Sequence, residues 1–187
     1  MEITVKKVTD WQRVVDATRM TVDKGSLGKE PSNKFKFDIL RAEHSPIRLL
    51  EFDITFKDVP HFVAMHLVRH NQGVEKFVAT QREDRTGIDR NTRKQTDPVN
   101  FMLSCNAQAL INISRKRLCR QADAETRKVW SEVVEKIAEI EPIVAHFCVP
   151  NCVYCGGRCP EIQCCGYVFT EHFAKQHAGY MSAEVLI

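Results

Sequence analysis

The sequence predicts an α+β fold, an antiparallel sheet with helices packed against it, and three stretches carry that prediction. Leu50, Phe52, Ile54 and Phe56 alternate with Glu51, Asp53, Thr55 and Lys57, the period of a strand with one buried and one wet face. Residues 2–7 also read as a short strand. Val129, Val133, Ile137 and Ile140 recur at helical spacing after Asp123, a suitable N-cap.

The remaining elements follow in order. Thr9 and Gln12 have capping-box spacing, which predicts a helix to about Val22, broken by Gly25 and Gly28. Pro31, Ser32 and Asn33 open a second short helix that ends near His44, before Pro46. Pro60 suits the first turn of a helix running to about His70. Residues 77–80 favour extended structure. The polar run 82–98 carries Arg82, Arg85, Arg90, Arg93 and Lys94, and reads either as a solvated loop or as a basic lid over a phosphate. A helix is expected from Val99 to Leu118, and the Asp123 helix should run toward the mid-140s. Trp11 and Trp130 read as packing anchors.

Composition sets the class. The chain has 187 residues, 43% of them hydrophobic and 27% charged, enough for one domain with a sizeable core. A net charge of +3 is small, so nucleic acid is not the expected partner. No apolar run approaches the length of a membrane span and no signal-like segment opens the chain, so a cytoplasmic location is expected. Reduced thiols follow from that location. Of the 8 cysteines, Cys105 and Cys119 stand alone and read as small core residues, whereas Cys148, Cys152, Cys155, Cys159, Cys164 and Cys165 crowd together. Such density fits structural zinc, with Cys152, Cys155, Cys159 and Cys164 as the chosen ligands. Free or redox-labile thiols and an iron–sulfur cluster are the other readings. His172 and His177 lack the spacing that stacks two ligands on one helical face, and read as surface residues.

The chemistry is concentrated around His66-Leu67-Val68-Arg69-His70 and Thr80-Gln81-Arg82. Downstream come Asn106, Asn112 and Arg117; on one continuous helix Asn106 and Arg117 would share a face roughly 16 Å apart. An elongated ligand could meet an amide at one end and a guanidinium at the other.

This order of motifs resembles the flavin-dependent thymidylate synthases. Their signature is Arg-His-Arg followed after a short gap by Ser-x-Arg; here it reads Arg69-His70-Asn71, then Thr80-Gln81-Arg82 displaced by one residue. Arg19-Met20-Thr21 is similar to the family's Arg-Val-Ser, and His44-Ser45-Pro46 to its Ser/Thr-Pro turn. Asn106-Ala107 through Arg117 is similar to its Asn-Ala-Arg-x-Leu helix. The resemblance covers residues 15–145 and implies a flavin-dependent thymidylate synthase-like domain over 1–147, followed by a Cys-rich extension over 148–187.

It also implies roles. Thr21, Ser45, Arg69, His70, Asn71, Asn106 and Asn112 would hold FAD. His66, Thr80, Arg82 and Arg117 would hold dUMP or a related pyrimidine nucleotide. Arg117 would face the uracil ring, where negative charge develops as the flavin delivers hydride. NADPH and methylenetetrahydrofolate would be co-substrates, and a homotetramer the assembly. Asn71 in place of arginine, His66 in place of glutamine and the shortened run 83–98 are departures from the family pattern; Arg90 or Arg93 could replace the family's insertion arginine. A flavin enzyme alkylating another pyrimidine nucleotide, a catalytically silent binder, and a zinc-knuckle nucleic-acid module stand as alternatives.

Overall fold

The structure is a computed structural model that describes residues 1–182. The last residues of the expected 148–187 extension, 183–187, lie outside it. Among the described residues, four strands form one antiparallel sheet in the order β1-β2-β4-β3. These are β1 (Glu2–Lys7), β2 (Glu51–Pro60), β3 (Val74–Val78) and β4 (Pro98–Asn106).

The long central pair sets the core. Phe52, Ile54 and Phe56 of β2 and Val99, Phe101, Leu103 and Cys105 of β4 are buried. Phe56 lies in register with Phe101, and their rings stack at 4.2 Å. On the opposite face Asp53 pairs with Ser104 and Thr55 with Met102, all partly exposed. One face is therefore packed and the other wet, as the period-two pattern of β2 requires. A bulge between Phe56 and Val59 puts Asp58 at φ 53°, and its N–H is satisfied by Asn100 Oδ1 at 2.8 Å.

Helices cover the apolar face. They are α1 (Trp11–Met20), α2 (Asn33–Arg41), α3 (His61–Leu67), α5 (Ala107–Arg117), α6 (Ala124–Ile140) and α7 (Pro142–Phe147), with the single turn α4 (Glu83–Thr86) outside the core. Trp11 and Trp130 are fully buried. Their indole N–H groups donate to Glu141 at 3.1 Å and to Ser114 at 2.9 Å, which satisfies buried polar atoms on both sides. Asp123 caps α6 through the Thr126 N–H at 2.9 Å.

Four boundaries differ from the sequence reading, the first being that the helix expected to run to the mid-140s ends at Ile140, where non-helical Glu141 separates it from α7. Residues 98–106 are strand, not the first turns of a helix. Their apolar residues alternate every second position, and Asn106 is the N-cap at which α5 begins. Asp10, not Thr9, caps α1. The Thr9 hydroxyl instead bridges Leu49 O at 2.7 Å and Glu51 N at 2.8 Å, tying β1 to the entry of β2. The helix after Pro60 closes at Leu67, so Arg69 and His70 lie in the turn beyond it.

The extension builds its own small cluster. Val149, Cys152, Val153, Tyr167 and Phe173 pack together, carried by α8 (Asn151–Tyr154) and α9 (Glu171–Met181). Arg115 of α5 stacks on Tyr154, its guanidinium 3.6 Å from the ring centre, and joins this unit to the main body.

Candidate active site

Asn106 sits where β4 becomes α5, and its position follows from two backbone demands. Its N–H donates to Gly73 O at 3.1 Å, and its Oδ1 caps α5 through the Ala109 N–H at 2.9 Å. Its NH2 is left to address a ligand. Gly73 has φ 69°, and a Cβ there would stand 2.5 Å from Asn106 Nδ2. Glycine is required by conformation and by space.

Around this junction lies a hollow of about 620 Å³, lined by Glu43, Arg48, Gln72, Gly73, Asn106, Gln108 and Asn112. A second hollow of about 330 Å³ adjoins it through shared Gln72 and Asn112, and adds Arg69, His70 and Asn71. Together they form a cleft of amides edged by arginines. Glu43 is held by Gln108 Nε2 at 2.7 Å and by Arg115 Nη2. Burial raises the Glu43 carboxyl, but the hydrogen bonds from Arg115 and Gln108 outweigh it and the net shift is downward. Its charge is thus spent on Arg115.

Arg117, the last residue of α5, donates Nε to His70 Nε2 at 2.9 Å and Nη2 to His66 O at 2.5 Å. Burial, with the Arg117 and Lys76 charges adding to it, pushes the His70 imidazole down to about 4. His70 is consequently neutral near pH 7, with Nε2 as acceptor and the proton on Nδ1. Burial lowers Arg117 as well, and the neighbouring Arg69 adds to that. Two guanidinium groups in each other's field, the Arg117 one partly withdrawn from water and the Arg69 one exposed, attract an anion. Lys76 Nζ donates to Val68 O at 3.1 Å and to Asn71 Oδ1. An ammonium from β3 therefore stands beside the signature position that lacks arginine.

The structure brings Arg69, His70, Asn71, Asn106, Asn112 and Arg117 to this one region. Other expected residues lie elsewhere. Thr21 and Ser45 line a separate hollow of about 470 Å³ with Thr18, Arg41 and His44. Arg82 forms a two-point pair with Asp84 at 2.9 and 2.8 Å and lines another hollow with Arg90 and Asn91; Thr80 lines none of these and only accepts from Arg82 N. The His66 ring is turned to α6, 2.8 Å from Thr126 Oγ1, so in this chain it ties two helices together. The run 82–98 is more than a solvated loop: it holds α4 and a 3-10 turn (Arg90–Thr92), and Asp97 O and Gln95 O accept from the start of α3. A further hollow of about 780 Å³ is lined by Arg120, Arg127, Tyr167 and their neighbours, and holds none of the expected flavin or nucleotide residues.

The chosen zinc ligands are not assembled. Among the described residues no group of three His, Cys, Asp or Glu is arranged to hold a metal ion. Cys155 turns to Asn151 Oδ1 at 3.6 Å, and Cys164 accepts from Gly166 N at 3.4 Å, so the Cys152, Cys155, Cys159, Cys164 set is drawn apart by local turns. Cys105 is buried, as a core thiol should be, whereas Cys119 is only partly buried and stands outside the core.

Several cleft residues escaped the sequence reading. Arg48, Gln72 and Gln108 carry no motif of their own, but each stands within two or three residues of one: Ser45-Pro46, His70 and Asn106. Lys76 became visible only through the pairing of β3 with β4.

An antiparallel sheet with one helical layer and a polar, amide-lined cleft at the β4–α5 junction defines the α+β class of this protein. Comparison with known proteins places that fold. The chain is similar to ThyX, the flavin-dependent thymidylate synthase of Helicobacter pylori solved with FAD and dUMP, at a TM-score of 0.65 and 14% identity, over 80% of this chain and 100% of that one. It is similar to the UMP/dUMP methylase PolB of Streptomyces cacaoi bound with 5-Br dUMP, at a TM-score of 0.59 and 16% identity, over 78% and 94%. In sequence it is 31% identical over 61 residues to the flavin-dependent thymidylate synthase of Clostridium tetani (strain Massachusetts / E88), a stretch that is 33% of this chain and 24% of that protein. No family model matches the chain. Its fold is that of the flavin-dependent thymidylate synthases. Among the described residues no helix is long and apolar enough to cross a membrane.

Proposed function

We propose that this chain binds FAD and a pyrimidine deoxynucleotide together and catalyses the reductive methylation of dUMP to dTMP. Methylenetetrahydrofolate would be the carbon donor and NADPH the reductant. The observation that carries this reading is the Arg69–His70–Arg117 cluster opening onto a cleft lined by Gln72, Asn106 and Asn112. The donor set fits the cofactor: amides match the alternating donors and acceptors of an isoalloxazine edge, and arginines match its phosphates.

When bound, the flavin supplies the hydride. The protein's own residues have narrower tasks. Asn106 and Asn112 orient the ring, while Arg69 and Arg48 receive anionic oxygens. Neutral His70 accepts from Arg117 Nε and so fixes the guanidinium plane at the place where uracil oxygen gains charge. Thr21 and Ser45, in their own hollow, would hold the adenosine or phosphate end of FAD. Thr80 and Arg82 would reach the nucleotide phosphate of a neighbouring subunit in a homotetramer, since within one chain they face away from the cleft. We place the activity in the cytoplasm.

Methylation of UMP as well as dUMP is a second reading. It is favoured by Asn71 with Lys76 in place of a fixed arginine, and by the likeness to a UMP/dUMP methylase. The test is tritium release from C5-labelled dUMP and UMP with FAD, methylenetetrahydrofolate and NADPH. Release from dUMP supports the main reading. Flavin binding without release from either nucleotide would make the chain a silent binder.

A further inference from the structure

The flavin reading leaves the hollow of about 780 Å³ between α6 and the extension without a use. Its wall on α6 follows from helical spacing. Val129, Val133 and Ile137 turn to the core, and Arg127, Lys128, Ser131 and Glu135 fall on the flank beside them and line the hollow. Tyr167, His172 and Gln176 of the extension line it too, and Leu118, Val134 and Pro150 supply an apolar part of the lining. Arg120 lies over Tyr167, its guanidinium 4.3 Å from the ring centre. The ring beneath it is buried and tied at its hydroxyl, which donates to Gln176 Oε1 at 2.7 Å and stands 2.7 Å from His172 Nδ1. Arg127 is fixed through one nitrogen: Nη1 donates to Ala122 O at 3.0 Å and to Arg120 O at 3.3 Å. Its Nε and Nη2 donors are left for a ligand.

These cations are not spent on the protein's own acids. Among the described residues, none of Arg120, Arg127 and Lys128 forms a salt bridge. Asp123, close in sequence, is turned to the Thr126 N–H and hydroxyl at 2.9 and 3.1 Å, and Glu161 is taken by Lys116 at 3.3 Å. Glu135 is the one carboxylate in the described lining, so positive charge is left in excess there. We propose that this hollow is a second ligand site, apart from the flavin cleft, which binds a small organic phosphate monoester. The two guanidinium forks match phosphate oxygens, and the Lys128 ammonium adds a point charge. The organic part of the ligand rests on Leu118, Val134 and Pro150. The hollow shares no lining residue with the cleft, so the site stands whether or not flavin binds. Its ligand would touch α6 and the extension at once and tie the two together.

The experiment is calorimetric titration of phenyl phosphate into the full chain at low ionic strength, where such contacts are least screened. Saturable binding is expected, with inorganic phosphate competing for the same site more weakly because it leaves the apolar lining unused. Arg120 and Lys128 are exposed, so the double variant Arg120→Ala with Lys128→Ala keeps the fold. It should bind the ester at least about tenfold more weakly. Arg69→Ala, at the edge of the flavin cleft, should stay within about twofold of the wild type. No saturable binding, affinity unchanged in the double variant, or an equal loss in Arg69→Ala would overturn the proposal. Inorganic phosphate bound as tightly as the ester would also overturn it, because the hollow would then hold an adventitious ion only.

Discussion

At the scale of single residues, the pairing of Arg117 with His70 is the most consequential contact. It requires an imidazole that stays neutral, and burial beside Arg117 and Lys76 provides one. The folded value, about 4, lies below the ordinary 6.5 of the unfolded chain. The unfolded state therefore binds the extra proton first. This group's contribution to stability is complete above pH 6.5 and is lost as pH falls toward 4. NMR of the His70 ring should show no protonation until near that lower value; titration at 6.5 would mean that the guanidinium does not sit on Nε2. Arg117→Ala removes the donor to both His70 and the His66 carbonyl. It should weaken dUMP binding by about tenfold or more, worth ~1.4 kcal/mol, with the circular dichroism spectrum unchanged. Unaltered nucleotide affinity would remove Arg117 from the site.

At the scale of elements, the junction of β4 with α5 is what builds the cleft. Gly73 and Asn106 fit against each other so closely that Gly73→Ala must displace the α5 cap. Its positive φ adds conformational cost. A loss of about 1–2 kcal/mol in denaturant unfolding is expected, together with weaker flavin binding. A neutral effect on both would show that the cap is not what positions Asn106.

The same junction shows what the sequence could and could not tell. Asn106, Asn112 and Arg117 were legible as a set because α5 is continuous from Ala107 onward. The strand before it was misread because no Gly or Pro separates it from α5; the alternation of Val99, Phe101, Leu103 and Cys105, which pair with β2, is the strand signal. His66 looked like a ligand because its partner, Thr126, lies 60 positions away on another helix. Arg48 and Lys76 were hidden for the same reason: their place in the cleft is set by chain neighbours that are distant in sequence. The order of the sheet was likewise unreadable, whereas the amphipathic face of β2 was plain.

At the scale of the molecule, Arg115 links the cleft to the extension. It pairs with Glu43 on one side and stacks on Tyr154 on the other. Both side chains of the ion pair are largely withdrawn from water, at 15% and 23% exposure. Arg115→Ala leaves the Glu43 carboxylate without its main partner and should cost about 2 kcal/mol in unfolding free energy. It should also lower flavin affinity, because Gln108 is then held less firmly. Loss of stability with flavin binding intact would mean that the extension is attached to the cleft without supporting it.

The central claim is that one cleft of this chain holds a flavin and a pyrimidine nucleotide against each other. Its most direct test is calorimetric titration of dUMP into the purified full-length protein, with and without saturating FAD, for the wild type and for Arg117→Ala. The account predicts that FAD binds, that dUMP binds more tightly when FAD is present, and that the substitution abolishes this coupling while FAD affinity persists. Binding of dUMP that ignores FAD, or no FAD binding at all, would contradict it.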